Sequence, residues 1–179
     1  TFCSCSQNDK MRPPAVSFKI QKAPVVPRTP GQMGREVGIK VSYMPKNTYA
    51  RKRASSMRPR FITIHSTANP KGDANAHSRY LNSGKSRSLN WHFTVDQFGA
   101  YQHIPTTETG HHADHSGPGD QYSVAIEMCE CTTHNPVVIY NKTAKLAALL
   151  MMRYNVPGYK WSWFISRVDY YYRCLQAGR

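Results

Sequence analysis

Phe61-Ile62-Thr63-Ile64-His65 is an unbroken run of aromatic and β-branched residues, and it leads straight into Ser66-Thr67-Ala68-Asn69-Pro70, a cluster of turn formers. The run predicts a strand with His65 at its carboxyl end. That end is where α/β sheets commonly place ligands. Downstream, Asp73 is positioned to cap a helix running to about Leu81, with Ala76 and Tyr80 one turn apart and Asn82-Ser83-Gly84 as its stop. Ser88 to Val95 predicts a second strand, turned at Asp96-Gln97-Phe98-Gly99 into a third, Ala100 to Ile104, so the pair reads as a hairpin. Tyr122 to Cys129 predicts a buried strand, Thr143 to Tyr154 a helix with a broad apolar surface, and Trp161 to Leu175 an amphipathic terminal helix. The expected fold is a single α/β domain over residues 59–179, a central mixed sheet flanked by helices.

Upstream of Phe61 the texture differs. From Lys10 to Arg60 there are 13 Lys or Arg and one acid, Glu36, interspersed with seven prolines. Residues 1–58 therefore read as a basic, Pro-rich, irregular N-terminal arm with at most short strands, for example around Val37 to Tyr43. Such an arm attracts polyanions, whether nucleic acid, an anionic membrane face or anionic cell-wall polymers, or else is a solvated tail that keeps the protein soluble. Nucleic acid is not expected: only Phe18, Tyr43 and Tyr49 are interleaved with these charges, too few stacking platforms for single strands.

The whole chain has 179 residues, 40% of them hydrophobic, and a formal net charge of +14. It can bury one core, which argues against disorder over its whole length. Nothing approaches the ~18 consecutive apolar residues of a transmembrane helix. The five cysteines are an odd number, and Cys3-Ser-Cys5 and Cys129-Glu-Cys131 lack the C-x2-C spacing of structural zinc sites, so neither a disulfide framework nor a zinc cluster is expected. The chain begins at Thr rather than Met, which is compatible with a removed leader and permits export.

All eight histidines lie between residues 65 and 134, so the chemistry is expected after the arm. Gly110-His111-His112-Ala113-Asp114-His115-Ser116-Gly117 is a polar loop dense in potential ligands. Within Tyr122-Ser123-Val124-Ala125-Ile126-Glu127-Met128-Cys129 a single carboxylate is set in an apolar strand. A buried carboxylate must be paired, linked to a metal or shifted in pKa. Glu127 is either a catalytic group or the partner of one of the many cations.

Six blocks carry a resemblance: Phe61 to Pro70; Ala74-Asn75-Ala76-His77-Ser78-Arg79-Tyr80-Leu81; Asn90-Trp91-His92-Phe93-Thr94-Val95-Asp96; Gln102-His103-Ile104-Pro105; His112-Ala113-Asp114; and Ser123 to Cys129. In order and spacing they resemble the zinc-dependent N-acetylmuramoyl-L-alanine amidases of type 2, a family that includes peptidoglycan recognition proteins. The resemblance covers about residues 60 to 156 and leaves out the arm. It implies a secreted or cell-envelope hydrolase of peptidoglycan or muropeptide that cleaves the amide between N-acetylmuramic acid and L-alanine. Zn2+ would polarise the carbonyl and activate water. It further implies His65 as a metal ligand and Glu127 as general base. Trp91 stands where many relatives carry a tyrosine; it, His92, His112 and Asn69 are the candidates for substrate contact.

One departure bears on the metal. A catalytic zinc site takes three protein ligands, and the family draws its second and third from a loop after the long helix. Here Tyr154-Asn155-Val156 passes at once into Pro157-Gly158-Tyr159, and no histidine follows His134. Three readings are open: Val156 and Pro157 are not natural neighbours; His112, His115 or Cys174 completes the site from another direction; or the chain binds peptidoglycan without cutting it.

Overall fold

A computed structural model describes residues 24–156 and 163–179. Five strands, β1 (Ile39–Val41), β2 (Phe61–Ser66), β3 (Phe93–Val95), β4 (Ala100–Gln102) and β5 (Ser123–Met128), form one sheet in the order β1-β4-β3-β5-β2. β3 and β4 are the antiparallel hairpin expected from the Asp96–Gly99 turn; every other pairing is parallel. The sheet is therefore mixed, as expected. Its helices are α1 (Pro30–Val37), α2 (Tyr49–Lys52), α3 (Ala74–Asn82), α4 (Pro118–Tyr122), α5 (Pro136–Tyr154) and α6 (Trp163–Ala177). No helix among the described residues is long and apolar enough to cross a membrane.

The two faces of the sheet differ in chemistry, and this places the site. Ile62, Val124, Ile126, Phe93 and Val95 join residues of α1, α5 and α6 in the larger core. Alternate residues of the same strands face the other way, because side-chain direction reverses at each step along a strand. There a smaller apolar cluster, Met44, Ala50, Leu81, Trp91, Ile104 and Ala125, covers only part of the surface. Parallel strands buried on both faces are normally apolar throughout. Thr63, His65, Thr94, Ser123 and Glu127 break that rule on one face only.

Local signals account for most boundaries. Asp73 accepts the Ala76 N–H at 2.6 Å and starts α3. Asn135 caps α5 through the Val137 N–H, with Pro136 as its first residue. The helix thus begins seven residues before the expected Thr143. The expected strand from Ser88 is regular only from Phe93, because Asn90 pairs instead with His111 in an isolated bridge.

The irregular arm expected over 1–58 is corrected for its second half; residues 1–23 lie outside the described residues. Thr29 and Gln32 form a capping box, Pro30 opens α1, and Met33 and Val37, one turn apart, are fully buried. Lys142 donates to the carbonyls of Glu36 and Val37, and Lys145 pairs with Glu36 at 2.7 Å, so the lone acid of the basic stretch anchors it to α5. The chain then enters β1 by pressing Gly38 on Gly99: a Cβ on Gly99 would lie 2.5 Å from the Gly38 carbonyl oxygen. Only a residue without a side chain fits there.

Candidate functional site

His65, Glu127 and Thr94 are register partners across β2, β5 and β3, three parallel strands whose carboxyl ends share one edge. Their side chains form one row on the polar face. Glu127 meets no cation among the described residues, and its Oε2 is buried without a hydrogen-bond partner. Burial, helped by the nearby Glu130 charge, pushes its carboxyl up to about 7. Of the two alternatives left open for this residue, the salt-bridged one finds no partner among the described residues. The Nε2 of His65 is likewise buried and unpartnered, and burial lowers its pKa against the opposing pull of Asp120.

His112 packs edge-on to His65, ring centroids 5.7 Å apart, and edge-on to His92 at 6.1 Å. Both of its ring nitrogens are buried and neither makes a hydrogen bond of normal geometry, with the Ser123 backbone the one group close enough to favour the protonated ring. Burial, together with His65 and against Asp120, pushes its pKa down to about 4, so the ring is neutral at pH 7. The loop that delivers it is tied by Asp120, a residue the sequence reading passed over. Asp120 Oδ1 accepts the N–H groups of His112 and Ala113, both at 2.8 Å, and Oδ2 accepts that of Ser116 at 2.9 Å and lies 3.4 Å from His111 Nδ1. Burial raises the Asp120 pKa, but the three backbone donors outweigh it and hold the carboxyl below its usual range. Asn90 fixes the loop from the other side, accepting the His111 N–H on its side chain at 2.7 Å. The available signal was Gly117-Pro118-Gly119-Asp120, an acid just inside a helix start.

The other three candidates for substrate contact, His92, Trp91 and Asn69, each have side-chain atoms engaged within the fold. His92 is fully buried; its Nδ1 accepts the Ala125 N–H at 3.0 Å and its Nε2 donates to the Glu108 carbonyl at 2.9 Å. With both nitrogens used and its pKa pushed down by burial to about 3, it is a neutral tie between strand and loop. Trp91, 9% exposed, belongs to the smaller core and donates its Nε1–H to Thr94 Oγ1 at 2.7 Å; that hydroxyl also bonds His103 Nε2 at 2.8 Å. Asn69 spends its side-chain oxygen on the N–H groups of Lys71 and Gly72, shaping the turn after β2. Cys174 is buried in the larger core, on the opposite face of the sheet from His65, and His115 is exposed. Neither completes a site at His65. Among the described residues no three His, Cys, Asp or Glu side chains form a set able to hold a metal ion.

The Trp91–Thr94–His103 chain carries a testable consequence. Thr94→Val keeps the shape and removes the shared hydroxyl, leaving two buried polar groups without partners. The expected loss is about 1–3 kcal/mol in urea unfolding.

The match to known proteins follows the same region. The family model described as N-acetylmuramoyl-L-alanine amidase matches residues 55–167, from just before β2 into α6. The chain belongs to this amidase family. The amidase CwlH of Bacillus subtilis (strain 168) is 36% identical over 125 residues, which cover 68% of this chain and 49% of that protein. XlyA of the same organism, also named an N-acetylmuramoyl-L-alanine amidase, is 47% identical over 78 residues, 42% of this chain and 26% of its own length. The solved catalytic domain of XlyA superposes with a TM-score of 0.65 at 35% identity, covering 68% of this chain and 80% of that one. This amidase-family chain therefore spans less than half the length of these curated relatives, yet most of a solved amidase catalytic domain.

Proposed function

We propose that this chain is a peptidoglycan hydrolase that cleaves the amide between N-acetylmuramic acid and the L-alanine of the stem peptide. The observation that carries the reading is Glu127: a carboxylate with no cation among the described residues, its pKa pushed up to about 7, beside His65 at the shared carboxyl edge of β2 and β5. A base with that pKa accepts a proton from water near neutral pH and can return it to the departing amine. Family membership and the named amidases among its relatives support the same reaction.

The metal is part of the proposal. Zinc favours neutral imidazole nitrogen, and the buried, unpartnered Nε2 of His65 is such a donor. His65 would hold the ion; bound there, it would supply Lewis acidity toward the amide carbonyl and toward water. His65 and Glu127 then have separate tasks, one holding the ion and the other moving protons. The substrate locates the activity at a cell wall, outside the cell or in its envelope. Anionic wall polymers remain the proposed partner of the basic N-terminal residues.

Purified peptidoglycan incubated with the chain and zinc should release stem peptides with a free L-alanine amino terminus, seen by amine labelling and mass spectrometry. Binding to the polymer with no new amino termini would leave only a recognition module.

A further inference from the structure

We propose that His112 supplies a second metal nitrogen to the site centred on His65, in place of contacting substrate. The proposal rests on the reading that His65 holds zinc. Among the described residues His112 stands apart from the other histidines near the site. His92 uses both nitrogens, His103 bonds Thr94, and His111 faces Asp120. Neither His112 nitrogen, both of them buried, makes a hydrogen bond of normal geometry, the Ser123 backbone being the nearest polar group, and the ring lies edge-on to the ring of His65. Burying a polar atom without a partner is unfavourable, because it has given up its hydrogen bonds to water. At one edge of the sheet, His65 Nε2, Glu127 Oε2 and both His112 nitrogens all lack a well-formed hydrogen bond. An ion between the two rings relieves the imidazoles at once.

The geometry allows it. Two imidazoles sharing one zinc at ~2.1 Å from each nitrogen have ring centres ~5–6 Å apart, and the observed separation is 5.7 Å. Space for the ring is made by Gly110: a Cβ there would lie 2.7 Å from His112 Cδ2 and 3.3 Å from His92 Cε1. Its backbone is held by Asp120, so the ring is delivered by a tied loop rather than a mobile one. No set of three protein donors exists among the described residues, so water and substrate would have to supply the rest of the ion's coordination. Binding is accordingly expected to be weaker than at a three-ligand site, and the ion readily exchanged. In this chain the polar loop after β4 would take over part of the ligation that the family draws from beyond its long helix.

Cobalt(II) titration of the purified full chain, read by d–d absorption, tests the proposal alongside zinc competition against a chromogenic chelator. One equivalent should bind, with affinity lowered at least tenfold by either His65→Ala or His112→Ala and unchanged by His115→Asn, an exposed histidine of the same loop. Loss in His65→Ala with full binding in His112→Ala would overturn the proposal and leave His65 as a ligand. Undiminished binding in both variants, or no binding by the unsubstituted chain, would overturn both readings. Should His112→Ala not fold, side-chain nitrogen NMR of the unsubstituted chain decides. Zinc must shift the ring nitrogens of His65 and His112 together; a shift at His65 alone overturns the proposal.

Discussion

Glu127→Gln should reduce stem-peptide release by roughly 10²- to 10⁴-fold, the range in which a positioned general base contributes. The substitution keeps the size of the side chain and removes its ability to take a proton. Its effect on stability should have the opposite sign. In the unfolded chain a Glu titrates near ~4.3; in the fold burial carries Glu127 up to about 7. Below pH ~4 the group is protonated in both states and costs nothing. As pH rises toward 7 the unfolded chain ionises while the folded one resists, so stability falls, and above 7 the full cost is present. Metal-free Glu127→Gln should therefore unfold at higher denaturant than the unsubstituted chain at pH 8, by about 1–3 kcal/mol, and at nearly the same concentration at pH 4. A variant that loses activity and also loses stability at pH 8 would show that Glu127 is a structural partner after all.

Asp120→Ala carries the largest expected cost to the fold around the site. One carboxylate holds three backbone N–H groups and faces His111, and each hydrogen bond to a charged group is worth about 1.5–3 kcal/mol. The loop is partly exposed, so water recovers some of that, and about 2–4 kcal/mol is expected at pH 7. Here the sign of the pH dependence reverses. Asp120 is held below its usual pKa, so its contribution is present above ~4 and disappears as pH falls through the lower folded value. Denaturant unfolding at pH 7 and pH 3 should show a wide gap between variant and parent at the first and a narrow one at the second. An equal gap at both would mean that the carboxylate's charge is not what ties the loop. With the tie gone, His112 should lose its fixed place beside His65, and metal affinity should fall with it.

How much of this was legible varies from element to element, and the reasons are local. β2, β5 and α3 announce themselves because the signal and the structure occupy the same few residues: an apolar run, or an Asp one step ahead of a helix. α1 carries as clear a signal, Thr29-Pro30 with Gln32, but its charge and prolines spoke for an extended arm. Its burial depends on Met33 and Val37 finding α5, more than 100 residues away, with Glu36 holding Lys145. His92 and His112 illustrate the same division within the site. Both were candidates for substrate contact through the resemblance, and His112 was also a candidate for completing the metal site. What separates them is the Ala125 amide and the Glu108 carbonyl, which occupy one ring, while the other makes no well-formed hydrogen bond.

Residue order alone determined which strand ends in a histidine, which strand carries a carboxylate, and that both belong to an amidase-like series of blocks. These are properties of short segments, where side-chain type and spacing act directly on backbone conformation. Only the tertiary structure decided that the two strands are neighbours in register, that Glu127 meets no cation among the described residues, and that of the described histidines gathered there His112 is the one beside His65 with neither nitrogen in a well-formed hydrogen bond. Partnership and burial are properties of the space around a side chain, and that space is built by residues far away along the chain.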